Sequence, residues 1–149
     1  MSLEKDITQK MKEAMKAKNK PKLEAIRAIK NAILQEKTKA GGGDEIDEAT
    51  EMKMLQKLVK QREDSAEIYK KEGRNELAEK ELFEANIIKE FLPEQLSEDE
   101  IRTEIEKIIT ETGASSMKDM GKVMGMANKQ MAGRADGKLI SEIVKAKLQ

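Results

Sequence analysis

The chain has 149 residues, with 29 basic side chains against 29 acidic ones and neither Cys nor His. That length holds one ordinary domain or two small ones and excludes a large multidomain enzyme. Without thiol or imidazole there is no disulfide, no zinc-finger or haem ligation, and no Cys- or His-based catalysis. Leu, Ile, Val and Phe together number only 30, and charged residues make up 39%. Such sparse apolar content suggests disorder when net charge is high, but here the net charge is zero and the apolar residues are periodic, so a folded chain is expected. No charged-then-apolar leader and no apolar run near 18 residues is present, which points to a soluble, cytoplasmic protein without a membrane role.

Zero net charge conceals a gradient. Residues 1–40 carry 11 basic and 5 acidic side chains, residues 41–112 carry 11 and 21, and residues 113–149 carry 7 and 3. Both basic ends are candidate polyanion faces, the alternative being the solvated outer faces of charged helices.

Helical spacing runs along the whole sequence. Ser2 is a fitting N-cap for a first helix with Leu3, Ile7, Met11 and Met15 as its stripe, ending near Lys18. Pro21 suits the first turn of a second helix carrying Leu23, Ile26, Ile29 and Ile33 to about Lys39. The run Gly41-Gly42-Gly43 reads as a loop, with Asp44 or Asp47 capping the helix after it. Met52, Leu55, Leu58, Val59, Arg62, Ala66 and Tyr69 define that long third helix, which closes at Gly73, and Leu77, Leu82, Ala85, Ile88 and Leu92 define a fourth.

Pro93 then sets a boundary, because the residue before a proline is pushed out of helical geometry. Ser97 with Glu100 forms a capping box ahead of Ile101, Ile105, Ile108 and Ile109, and Gly113 closes that helix. Ser116 with Asp119 repeats the box ahead of a sixth helix, in which Met117, Met120 and Met124 are read as the core face. Asp136 caps a seventh helix with Leu139, Ile140, Ile143, Val144 and Leu148. The fold expected is all-α: a four-helix, bundle-like domain over residues 1–92 and a small three-helix domain over 93–149, too small to be more than marginally stable alone.

Gly121 and Gly125 beside lysine do not make a phosphate loop, since no strand precedes them and the Gly-Lys-Ser/Thr order is missing; as helix residues they would let a neighbouring helix approach closely. Asp44, Glu45, Asp47 and Glu48 lack calcium-loop spacing, and Glu98, Asp99 and Glu100 suit a first helical turn. No catalytic residue, metal site or cofactor is expected.

The stretch from Leu92-Pro93-Glu94-Gln95-Leu96-Ser97 through Met120-Gly121-Lys122-Val123-Met124-Gly125 to Gly133-Arg134-Ala135-Asp136-Gly137-Lys138 resembles the YqeY family of small bacterial proteins. Lys60-Gln61-Arg62-Glu63-Asp64-Ser65 resembles that family too, so the likeness covers essentially the whole chain. The C-terminal half is also similar to the tail domain of the B subunit of glutamine-dependent aminoacyl-tRNA amidotransferase. The resemblance implies a tRNA-related accessory role, associated with carbon–nitrogen ligation using glutamine as amido donor, but with ATP activation and glutaminase chemistry lying in other, larger domains.

Binding is therefore the expected activity. Lys118, Lys122, Lys129, Arg134 and Lys138 are the candidate nucleic-acid contacts. The three aromatic residues, Tyr69, Phe83 and Phe91, lie outside the basic C-terminal third, so RNA would be met through backbone and shape rather than stacking. The alternative at Arg134 is pairing with Asp136 or a neighbouring acid to lock the turn. A second class of function, a helical adaptor, would dock a protein on an exposed patch formed by Met126 and Met131.

Overall fold

A computed structural model of the chain describes residues 3–39 and 45–149. Ser2, the Gly41–Gly43 run and Asp44 lie outside the described residues. The protein is all-α: α1 (Leu3–Lys16), α2 (Lys20–Lys39), α3 (Glu48–Lys71), α4 (Asn75–Lys89), α5 (Glu98–Thr112), a 3-10 turn (Met117–Asp119), α6 (Met120–Gln130) and α7 (Gly137–Leu148). No strand occurs among the described residues. None of the described helices is long and apolar enough to cross a membrane. The chain divides into two compact units, Met1–Leu92 and Pro93–Gln149.

In the first unit, α1 and α2 form one antiparallel hairpin, tied at its open end by an ion pair between Lys37 and Glu4. A second hairpin is made by α3 and α4, and α2 packs against both of its helices. The core joins Leu3, Ile7, Ile26, Ile29, Ile33, Leu55, Val59, Ala85 and Ile88. Along α1 the expected stripe drifts. Each four-residue step over-rotates a helix by about 40°, so Met15 stands about 120° from Leu3. Met15 is accordingly 57% exposed, and Ala14 takes the buried place.

Asp47 starts α3 by accepting the Thr50 backbone N–H at 2.7 Å. Gly73, at φ 75°, turns the chain into α4 with a left-handed residue that a β-carbon would oppose. Arg62 occupies a position on the apolar stripe of α3, where an unpaired cation would be costly. Its Nε donates to Glu84 Oε2 of α4 at 3.2 Å and its Nη1 to the Leu58 carbonyl at 3.3 Å. Both side chains are mostly covered, 17% and 13% exposed.

The second unit is built from α5, α6 and α7 around Ile101, Ile105, Ile108, Val123, Ala127, Met131, Ile140, Ile143, Val144 and Leu148. The Ser97–Glu100 capping box is formed in both directions, at 3.1 and 3.2 Å. These bonds hold the Glu100 carboxyl below its usual range. At the other end Gly113 closes α5 with φ 67°.

Candidate nucleic-acid interface

Before α6, Ser116 Oγ accepts the Lys118 backbone N–H at 3.4 Å, and Asp119 accepts the N–H groups of Ser115 and Ser116 at 3.0 and 3.3 Å. Those backbone bonds hold the Asp119 carboxyl below its ordinary value, with Lys122 adding to the effect. The one acid between Ser115 and Ala135 is thereby directed at the backbone.

Helical geometry then sorts α6 into two sides. Val123, Ala127 and Met131 recur every four residues and are buried. Gly121, Gly125, Lys129 and Lys122 fall on the other side, within an arc of about 100°, and all four are exposed. A β-carbon built on Gly121 or Gly125 meets nothing within 4 Å. The expectation that these glycines admit a neighbouring helix is thus corrected: they line a bare strip of helix backbone facing solvent.

Lys118 is exposed just ahead of this strip, and Lys138 in the first turn of α7 is exposed too. Lys118, Lys122, Lys129 and Lys138 make no ion pair among the described residues. Elsewhere in the unit three basic groups are engaged, Arg102 with Glu98 at 2.7 Å, Lys147 with Glu106 at 2.6 Å and Lys107 with Glu104 at 3.6 Å, while Lys145 on α7 is exposed and makes no ion pair among the described residues.

Arg134 is placed differently from the lysines. It is half-buried, and its Nε donates to the Glu94 carbonyl at 3.2 Å. The Leu96 N–H donates to the Arg134 carbonyl at 2.9 Å, and Gln95 Nε2 to the Gly133 carbonyl at 2.7 Å. Arg134 therefore fastens Glu94–Leu96 to the turn before α7 through a backbone carbonyl, and its charge adds to the Ser97 bonds that hold the Glu100 carboxyl below its usual range. It also lines a cleft of about 410 Å³ with Leu96, Asp99, Glu100, Thr103, Glu104, Gln130 and Met131. Three carboxylates on the α5 wall make that cleft unsuited to phosphate. Asp136 caps α7, accepting the Lys138 N–H at 3.2 Å. No group of three acidic side chains that could hold a metal ion occurs among the described residues.

The methionines also depart from expectation. Met131 is 2% exposed and belongs to the core, so an exposed Met126–Met131 patch does not exist. It lies four residues beyond Ala127 and continues the buried stripe one turn past the helix end. Met126 is half-buried, Met120 and Met124 pack at the core edge, and Met117 is the exposed one at 39% because it sits in the 3-10 turn. The bare strip of Gly121 and Gly125 was the feature sequence reasoning missed; its signal was two glycines at helical spacing with Lys122 between them.

Known proteins resemble the chain along most of its length. A protein named "Altered inheritance of mitochondria protein 41, mitochondrial" from Lachancea thermotolerans is 33% identical over 113 residues, 74% of this chain and 60% of the relative. The protein of that name from Clavispora lusitaniae is 35% identical over 108 residues, 70% of this chain and 61% of its own length. That of Pyrenophora tritici-repentis is 32% identical over 141 residues, covering 93% and 75%. The matches thus span 60% and 61% of the first two relatives. All three are mitochondrial by name, so relatives of this chain are not confined to bacteria. With the family match running over residues 4–148, the chain belongs to the Yqey-like protein family.

Proposed function

We propose that this chain is an RNA-binding accessory protein, a tRNA-contacting module of the kind that forms the tail of the amidotransferase B subunit, and that it does no bond-making itself. The observation that carries this is the open side of α6. Lys122 and Lys129 share it with Gly121 and Gly125, Lys118 stands ahead of it, and none of the three lysines is paired with a carboxylate among the described residues. Lysines that form no ion pair leave their charge available to a polyanion. Bare backbone between them lets a phosphate chain lie closer to the helix than side chains elsewhere permit. Lys138 extends the cationic surface, and Arg134 contributes by holding the turn that carries it. Recognition is by phosphate position and RNA shape, because no aromatic side chain lies in residues 93–149.

The test is binding of the full chain to unfractionated tRNA across a salt series. Wild type should show affinity falling with salt by about 0.7–0.9 logarithmic units per phosphate contacted. Replacing Lys118, Lys122 and Lys129 by Gln should lower that slope by about 2 and weaken binding at every salt concentration. A slope unchanged by the triple substitution rejects the assignment. The adaptor alternative now rests on Met117, which is exposed, and on half-buried Met126. It requires that Met117→Lys abolish capture of a protein partner while leaving tRNA binding intact.

A further inference from the structure

The corner between α1 and α2 carries Lys16, Lys18, Lys20 and Lys22 at alternate positions, with Lys12 one turn earlier on α1. None of these five ammonium groups forms an ion pair among the described residues. The carboxylates that flank them are already engaged. Glu13 accepts from Gln9 at 3.4 Å and pairs with Lys10 at 3.5 Å, while Glu24 pairs with Lys80 of α4 at 3.6 Å. The Glu13 carboxyl is held below its usual range, first by Gln9 and then by Lys10, with Lys22 adding a weaker pull.

The backbone of this corner supplies an independent sign. The Asn19 N–H donates to the Ala14 carbonyl at 2.9 Å and the Lys18 N–H to the Met15 carbonyl at 3.2 Å, the pair of bonds that ends a helix through one left-handed residue. α3 ends with the same pair, from Arg74 to Tyr69 at 2.8 Å and from Gly73 to Lys70 at 3.1 Å. There the left-handed residue is glycine; on α1 it is Lys18, at φ 54°. Lys18 is the only non-glycine residue with positive φ among the described residues. A β-carbon is disfavoured in that conformation, so lysine stands where glycine would fold better. A side chain serving a contact outside the fold would account for that choice.

We propose that the α1–α2 corner is a second phosphate-contacting surface for RNA, on the unit that lacks the α6 strip and additional to it. Charge complementarity selects the ligand: lysines at alternate positions, with their nearest acids engaged elsewhere, suit a chain of repeated negative charges. A phosphodiester chain fits better than an anionic membrane. The apolar residues of α1, Leu3, Ile7 and Ala14, are buried in the core, leaving Met15 as the only large exposed apolar side chain at the corner, too little to anchor a helix in lipid. The contacts come from side chains, since the Lys22 N–H at the start of α2 already donates to Asn19 Oδ1 at 3.2 Å.

The experiment uses the full chain, unfractionated tRNA and, separately, phosphatidylcholine–phosphatidylserine vesicles. Replacing Lys16, Lys18 and Lys20 together by Gln should weaken tRNA binding about tenfold or more and lower the salt slope by about 2, in wild type and equally in the α6 triple variant. Lys18→Gly alone should raise Tm by a few degrees and still weaken tRNA binding, a combination that a purely structural lysine cannot produce. Unchanged affinity and slope in the corner variant overturn the proposal, while the α6 assignment stands or falls on its own variant. Vesicle binding that the corner variant loses, with tRNA binding intact, overturns it in favour of a lipid surface. A Tm lowered by Lys18→Gly, with tRNA binding unchanged, likewise overturns it.

Discussion

The α3–α4 hairpin and the segment from Ser116 to Gln130 are both rich in basic residues, but they engage them differently. In the hairpin Arg62 meets Glu84, Lys89 meets Glu63 at 3.7 Å and Lys71 lies 3.9 Å from Glu67, while Lys80 reaches Glu24 of α2. In the second segment none of the three lysines has a carboxylate at ion-pair distance among the described residues. These four cations sit where a facing or preceding turn supplies an acid, so they belong to the fold, whereas Lys53, Lys57 and Lys70 of α3 make no ion pair among the described residues. Those of α6 face solvent across a glycine strip, so stability does not account for them. Pairing, rather than the number of basic residues, separates charge used for folding from charge left for a ligand.

Met131 gives the largest effect by which that division can be broken. It is the buried end of the α6 stripe, and Met131→Lys should destabilise the second unit by at least about 3 kcal/mol, read by denaturant titration, because the core would have to take in a cation. Met126→Lys, at a half-buried position, should be markedly milder. Equal and small effects of the two would mean that Met131 is reachable from solvent, and that the two sides of α6 are not as distinct as the packing makes them.

Glu84→Ala should come next, at about 1–3 kcal/mol, because it leaves the mostly covered Arg62 guanidinium without its carboxylate. tRNA affinity should not change. Lys122→Ala should do the reverse, leaving stability within about 0.5 kcal/mol and weakening tRNA binding. If Glu84→Ala altered tRNA binding as strongly as Lys122→Ala, the distinction between paired and unpaired cations would lose its meaning.

Much of the helical framework was legible because its signals are local. The capping boxes at Ser97 and Ser116, and the left-handed glycines at 73 and 113, act within a few residues of themselves. What failed were statements about which face a residue shows. A four-residue spacing looks like a stripe at Met15 but has rotated out of it by the third turn. Met131 lies past the last helical residue, yet the buried stripe continues through it. Arg134 illustrates a different limit: its partner is a backbone carbonyl 40 positions away in sequence, which no residue type announces. The candidate lysines could be named from composition, but that they are unpaired, and that the glycines between them face open space, depends on what the other helices fail to bring near.

The smallest effect is the most discriminating, because its sign differs between stability and binding. Gly125 lies inside α6, and an added β-carbon would touch nothing within 4 Å. Gly125→Ala should therefore stabilise the protein by about 0.5–1 kcal/mol, the ordinary helix preference of alanine over glycine. The same methyl group would stand on the strip where a phosphate chain is proposed to lie, so tRNA affinity should fall a few-fold while the salt slope, set by the lysines, stays the same. Gly121→Ala should act alike, with less gain in stability because it lies in the first turn. A stabilised variant that binds tRNA as tightly as wild type would reduce the glycines to neutral surface positions and leave the lysines alone to carry the interaction. A destabilised one would mean that another part of the protein packs against the strip, and α6 would then be a closed face instead of an open one.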